Sequence, residues 1–481
     1  MASPGVEQSL VSLIHTHFPH VPTDGQREVC VSMSKFLYDN DPRSAFLLRG
    51  YAGTGKTTLV SALIQVLPQL RVNCVLLAPT GRAAKVLSGY SHRSAYTIHK
   101  KIYMTATDAS GVMRMVRAVN RHAYTLFIVD EASMIGLEPT GTRLSLLEDL
   151  VEYVYDGTHC RLMLIGDMAQ LPPVGQSESP ALDSRYLAAS FNLNVIEGEL
   201  TEVVRQQQLS GILSNATDLR NQITSLFPGE KVHLPLFHAE VDVVKLAPAD
   251  LMETLYREYS SYNLEDVVVI TRSNKRANLF NQGIRNTILF REEEVNAGDY
   301  LMVVKNNYFW LDNDSTVGFI ANGDIVEVLS VRNIQEVYGY RFADATVRFV
   351  DYPDEQPLDC KLMLSTLYSE SPSLTTEEHG KLYESVMEDY DDLPHKADRM
   401  RELRQNPYYN ALQVKFSYAL TCHKTQGGQW RTVILDQGFL PPDMTLDRDW
   451  LRWLYTAFTR ATERIYLLGF SGQFFGDVTD C

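Results

Sequence analysis

Gly50-Tyr51-Ala52-Gly53-Thr54-Gly55-Lys56-Thr57 matches the pattern G-x-x-x-x-G-K-[ST] in full. Glycines at these positions let successive backbone N–H groups turn inward and form a concave anion nest. A helix that starts near Lys56 points the positive end of its dipole at the same place. Gly53, Thr54, Gly55, Lys56, Thr57 and Thr58 are therefore the candidate phosphate-binding residues. Lys56 supplies a point charge to the β- and γ-phosphates, and the Thr57 hydroxyl is a Mg²⁺ ligand. A second block completes the chemistry. The apolar run Leu126–Val129 ends in Asp130-Glu131. Asp130 can hold Mg²⁺, directly or through water, while Glu131 orients and deprotonates an attacking water. Together the two blocks specify hydrolysis of a nucleoside triphosphate, because a kinase would not need the water-activating Glu131.

Such residues need strands to deliver them and helices to follow. Ser44–Leu48, Cys74–Leu77, Leu126–Val129 and Leu162–Ile165 are short apolar runs, and Lys56–Val66 and Gly81–Ser88 carry helical spacing. Strands alternating with helices predict a parallel α/β sheet, with ligands at the carboxyl ends of its strands. The pattern returns with Val267–Ile270, a basic helix over Asn274–Arg285, and strands at Thr432–Leu435 and Arg464–Phe470. Between these blocks, Gly298–Val350 has short β-rich runs split by turn signals such as Asn322-Gly323-Asp324, which predicts a small inserted β-barrel. An acidic stretch after it reads as a helical or loop excursion. Lys100–Asn120 alternates around a small-residue turn at Asp108-Ala109-Ser110-Gly111 and predicts a β-hairpin.

The motifs resemble, in order and over nearly the whole chain, those of superfamily 1 helicases, most closely the RecD/Dda type of the 1B group. Gln26 in Thr23-Asp24-Gly25-Gln26 looks like the family's adenine-reading glutamine. Pro79–Lys85 resembles motif Ia and Thr97-Ile98-His99 motif Ib, which implies contacts of Thr80, Arg82, Lys85, Thr97 and His99 to single-stranded DNA. Gly166–Gly175 is similar to motif III, where Gln170 would sense the γ-phosphate. Leu200–Gln206 looks like motif IV and Tyr455–Ala461 like motif VI, so Arg205 and Arg460 would reach across a cleft to the γ-phosphate. Tyr418–Gly427 is very like motif V, with Thr421, His423 and Lys424 on the DNA side and Gln426 and Gly427 on the nucleotide side. The chain departs from the pattern at Gly428-Gln429-Trp430, where the family often has a hydroxyl residue after the glycine.

The resemblance implies a fold of two RecA-like parallel-sheet domains, with a β-hairpin inserted in the first and an SH3-like barrel in the second. The expected division is 1–99 with 124–199, hairpin 100–123, 200–297 with 411–481, and barrel plus acidic excursion 298–410. It also implies ATP and Mg²⁺, and 5′→3′ movement on single-stranded DNA with unwinding of forked or tailed duplexes. The hairpin would be the wedge, with Tyr103 near its working end. Asn274 and Lys275 would add to the strand groove. The other readings are a RecD-like motor subunit of a larger recombination or repair nuclease complex, and a small-molecule kinase or signalling NTPase. The last has no use for Gln170, Arg460 or motif V. Replication or repair proteins are expected partners, and the chain is expected to act as a monomer.

Composition first argues the other way. The chain of 481 residues carries a net charge of −15, while phosphate binding takes a basic surface. The charge is segregated, however. Arg43–His122 holds twelve basic residues and one acid, whereas Asp351–Met400 holds thirteen acids and four basic residues. Six scattered cysteines give no disulfide framework, and neither a signal peptide nor an apolar run of membrane-spanning length is apparent, so a cytoplasmic, reducing location is expected with no membrane partner. His15, His17 and His20 lack a companion carboxylate or cysteine and are read as packing or surface residues. Trp310, Trp430, Trp450 and Trp453 are read as core.

Overall fold

In the computed structural model, described for residues 4–107, 113–139, 144–204, 210–226, 230, 232–311, 319–352, 354–440 and 446–476, two parallel sheets face each other. The first has the order β3-β2-β6-β7-β1-β8. Its strands are β1 (Ser44–Gly50), β2 (Asn73–Ala78), β3 (Ala95–Thr97), β6 (Thr125–Val129), β7 (Arg161–Gly166) and β8 (Asn194–Leu200), taking β4 and β5 as the hairpin strands described below. β6 is buried along its whole length and β1 nearly so, as strands covered on both faces require. One face is covered by α1 (Pro4–Thr16), α2 (Asp24–Leu37) and α3 (Lys56–Val66). The other is covered by α6 (Leu146–Asp156) and α7 (Ser184–Phe191). Helix α4 (Gly81–Ser91) and the short α5 (Ile98–Ile102) begin on Thr80 and Thr97, whose hydroxyls cap the first turns.

The second sheet has the order β16-β10-β17-β18-β9. It comprises β9 (Val243–Leu246), β10 (Val267–Thr271), β16 (Ala419–Thr421), β17 (Trp430–Asp436) and β18 (Ala461–Leu468). Its helices are α8 (Gly211–Ser225), α9 (Leu251–Ser261), α10 (Asn274–Gly283), the four-residue α13 (Cys422–Thr425) and α14 (Arg448–Phe458). The helix expected over Asn274–Arg285 stops at Gly283 and loosens into a π-turn, Ile284–Ile288. There Arg285 is buried against Asp299 at 2.9 Å.

The expected barrel is present and closed, from β11 (Tyr300–Val303), β12 (Ile325–Val337), β13 (Tyr340–Phe349), β14 (Leu358–Met363) and β15 (Leu412–Phe416). Its last strand lies beyond the boundary expected at residue 410. The reason is that β14 and β15 pair in parallel across a long excursion, so no local turn signal announces the partnership. The acidic stretch forms α11 (Thr376–Glu388) and α12 (Lys396–Gln405), packed on the barrel through Phe342, Met363, Leu382, Val386 and Leu403. The barrel core is continuous with that of the second sheet, as Val328, Phe349 and Phe416 belong to the same cluster as Val267 and Ile434. The predicted hairpin is β4 (Tyr103–Thr107) paired antiparallel with β5 (Met113–Arg117). Its expected turn at 108–111 lies outside the described residues.

Candidate nucleotide-hydrolysis and strand-binding site

Gly53 and Gly55 both adopt positive φ, 74° and 80°, at the turn from β1 into α3. A Cβ on Gly55 would lie 2.3 Å from Gln26 Nε2, so that position admits glycine alone. Lys56 Nζ lies over the loop and donates to the carbonyls of Gly50 (2.6 Å) and Tyr51 (2.9 Å). Thr57 is exposed at the loop mouth, and Thr58 and Thr54 follow the same turn. Beside it, at the end of β6, Asp130 accepts the Tyr90 hydroxyl at 2.6 Å and the Glu131 amide at 2.8 Å. Each carboxylate oxygen keeps a lone pair for a cation, and the hard oxygen donors of Thr57 and Asp130 suit Mg²⁺. Glu131 itself stands at φ 52°, a left-handed conformation that turns its side chain away from its neighbour and into the cleft.

The second sheet closes this cleft with α14 and the segment that follows α13. Arg460 is buried, with Nη1 3.9 Å from Glu131 Oε1. It is aimed by hydrogen bonds to the carbonyls of Thr456 (3.2 Å) and Gly428 (3.3 Å). Burial raises the Glu131 carboxyl above its ordinary range; Arg460 and Lys56 pull it back, while Asp130 and Asp167 push it further. Asp167, wholly buried after β7, is likewise raised, chiefly by burial.

Tyr455 bridges the two halves. Its hydroxyl accepts the Ala52 N–H of the phosphate loop at 2.9 Å and donates to Asp167 Oδ2 at 2.6 Å. Thr456 Oγ1 takes the Leu171 N–H at 2.9 Å, and Gln426 Nε2 donates to the Leu171 carbonyl at 2.7 Å. Gln170 lies between, with Oε1 buried and unpartnered at the cleft. A buried acceptor without a donor is costly unless a ligand or water completes it, which fits a bound nucleotide and its water. Tyr455 and Asp167 had no assigned role from sequence. Tyr455 stands in a recognised block, but its register against Ala52 is a tertiary fact.

Several expected site residues have other occupations. Gln26 is wholly buried: its Oε1 accepts the Thr23 N–H and its Nε2 donates to the Thr54 carbonyl, so its amide braces the phosphate loop. Gly427 abuts α4, where a Cβ would stand 2.8 Å from Ala83 Cβ, so its missing side chain lets the two halves meet. Arg82 lies over the Trp430 ring at 4.0 Å and donates to the Gln429 carbonyl, which explains the aromatic residue at the departure from motif V. Lys85 reaches the Val350 carbonyl and Asp351 on the barrel, at 3.2 and 3.6 Å.

Tyr103 is a correction. It sits at the hairpin base, buried, with its hydroxyl on Asp149 at 2.7 Å, because the strand begins directly at the end of α5 and packs on α6. His99 is pressed between Tyr103 and Phe319, and burial lowers its pKa to about 4, so it is neutral. Arg205 lies outside the described residues.

On the strand side, Asn274 and Lys275 open α10, with Lys275 exposed and 3.7 Å from Glu370. Thr421, His423 and Lys424 surround α13, and burial with the charge of Lys415 lowers Lys424 to about 8. Sequence reasoning missed Tyr96, an exposed ring at β3 with Lys100 and Lys101 amines 5.5 and 5.7 Å from its centroid. An aromatic face flanked by cations is what a sequence-tolerant strand platform requires. Trp430, Trp450 and Trp453 are core, and Trp310 is tied to the Asn410 carbonyl.

The family description "AAA domain" matches residues 23–233, and "UvrD-like helicase C-terminal domain" matches 416–468. These two blocks carry the facing walls of the cleft. The chain is 24% identical, over 96% of its length, to the ATP-dependent RecD2 DNA helicase of Deinococcus radiodurans. It is 29% identical over 41% of its length to the ATP-dependent DNA helicase dda of Enterobacteria phage T4. The chain is similar to the superfamily 1B helicases. It spans 54% of the length of the Deinococcus relative and 42% of the phage one. A solved Pif1 helicase from Bacteroides aligns over 94% of this chain and 93% of its own, at 16% identity and a TM-score of 0.45. Among the described residues no helix is long and apolar enough to cross a membrane, and the five described cysteines are free thiols.

Proposed function

We propose that this chain is an ATP-driven DNA helicase of superfamily 1B that moves 5′→3′ along a single strand and separates duplex ahead of it. The observation that carries the reading is the composite cleft. Lys56 and Glu131 come from the first sheet and Arg460 from the second, and Arg460 stands 3.9 Å from Glu131. In this reading ATP lies on the Gly53–Thr58 turn, and Glu131 takes the proton of the attacking water. Arg460 offsets charge that develops on the γ-phosphate, with Arg205 as a second cation. Mg²⁺, held by Thr57 and Asp130, would neutralise charge on the phosphates. Because the hydrolytic set is complete only when the two sheets approach, hydrolysis and release let them part, and a strand held by both halves is moved. The relatives named as DNA helicases support DNA as the substrate; the polarity rests on the family resemblance. Duplexes carrying a 5′ or a 3′ single-stranded tail test this directly. Unwinding of the 5′-tailed duplex alone, with ATPase stimulated by single-stranded DNA, is the expected result. Selective unwinding from 3′ tails would reverse the polarity, and an ATPase indifferent to DNA would reject the motor.

A further inference from the structure

Between the barrel and the α11–α12 pair lies a cleft of about 370 Å³, separate from the hydrolytic site. This is the size range of small-ligand sites. Its walls carry three groups able to bear positive charge, Lys305, His379 and Arg404, and three aromatic rings, Tyr308, Phe309 and Tyr409. Among the described residues no acid lines it. Among the described residues neither the Lys305 amine nor the Arg404 guanidinium has an ion-pair or hydrogen-bond partner, although this part of the chain is the most acidic. Burial, and then the charge of Lys305, lower the pKa of His379. The Arg404 charge also acts on Tyr409, and Tyr409 meets the His379 ring edgewise at 5.4 Å. Uncompensated cations beside aromatic faces match a phosphate joined to a planar base. The position suggests which one. Tyr308, on the rim, touches Met115 of hairpin strand β5 at 3.3 Å and stacks on Phe319 at 4.9 Å.

We infer that this cleft is a second nucleic-acid subsite, which takes one nucleotide unit of the single strand emerging beside the hairpin. The base lies against the aromatic wall and the phosphate between Lys305 and Arg404. The strand concerned is the one displaced from the duplex, since Thr80, Thr97 and α13 lie on the other course, along the carboxyl ends of the sheets. The inference rests on the strand-separating reading of the hydrolytic site, and it adds a hold on the second strand that would oppose re-annealing.

The test uses the full chain and its Lys305→Glu/Arg404→Glu variant, with Lys305→Glu alone as a milder form. Binding of a forked duplex with two tails is compared by fluorescence anisotropy, without ATP, with that of a duplex bearing only the 5′ tail. The parent should prefer the fork by about tenfold, and the one lost phosphate contact should lower the salt slope for the fork by about 0.7. Reversal should erase the preference and leave DNA-stimulated ATPase intact, with Lys305→Glu intermediate. A fork preference that survives both variants, or that the parent lacks, overturns the inference. Deoxyadenosine monophosphate, titrated into Lys56→Ala protein, separates the sources. Saturable binding abolished by the charge reversal, with no effect on the fork, would assign the cleft to a free nucleotide and overturn its role in holding a strand. A parent ATPase insensitive to single-stranded DNA would instead reject the motor itself.

Discussion

Arg460 and Glu131 face each other from different sheets, and each is meaningful only through the other. The guanidinium is anchored on backbone carbonyls of its own half, so cleft closure carries it as a fixed charge. Loss of such a charge costs on the order of 10³–10⁵ in rate, and Arg460→Ala should do so in single-turnover hydrolysis. The pH profile gives a sharper expectation. Glu131 must be ionised to accept a proton, and burial already raises its pKa while Arg460 lowers it. Activity therefore falls as pH drops through that pKa, and removing Arg460 should move the acid limb to higher pH. An unmoved limb would mean that Glu131 does not carry it. At this scale the sequence was readable where one motif holds all of its partners, as in Gly53–Thr57. It was unreadable at Gln26, Arg82 and Tyr103, whose partners Thr54, Trp430 and Asp149 are remote in the chain or set by packing.

The hairpin shows what elements add to residues. β4 and β5 pair from Tyr103–Arg117 to Thr107–Met113, and their base is clamped on α6. Arg117 meets Asp156 at 2.6 Å and Glu152 at 3.0 Å, and Tyr103 meets Asp149. A base held by several charged contacts is fixed on the first sheet's helix, so the working end is sought further along the hairpin. Deleting residues 105–111 should abolish duplex unwinding and leave DNA-stimulated hydrolysis within about twofold, since the clamp is untouched. Unchanged unwinding would remove the wedge role. Alternation around small residues revealed this element. The barrel was legible only in its first three runs, because its closure depends on β15, which pairs in parallel with β14 from beyond two helices.

The net charge of −15 acquires its meaning from the whole molecule. The basic segment Arg43–His122 suggested a groove, yet several of its cations are already engaged. Arg49 pairs with Glu197, Lys85 with Asp351 and Arg117 with three acids of α6, while Arg82 lies on Trp430. The unpaired remainder, with half-buried Lys100 and Lys101 beside the exposed Tyr96, is smaller. Single-strand binding should therefore weaken with salt at a log–log slope of about −2 to −3, as three or four released counterions require. A slope near −8 would show that the internal pairs open onto DNA. Lys56→Ala should leave this slope unaltered, because its amine is turned into the phosphate loop.

By itself the sequence determined the local chemistry: the phosphate turn, the acidic strand end, the alternation that makes two parallel sheets, and the order of motifs that marks the family. These are legible because each depends on residues a few positions apart, where backbone geometry relates spacing to direction. Only the tertiary structure decided which motif residues meet across the cleft, that Tyr455 joins Ala52 to Asp167, that Gln26 braces the phosphate loop, and where unpaired cations gather beside aromatic rings. Those facts depend on how two sheets and a barrel pack, and on which charges burial leaves without a partner, neither of which is a property of spacing along the chain.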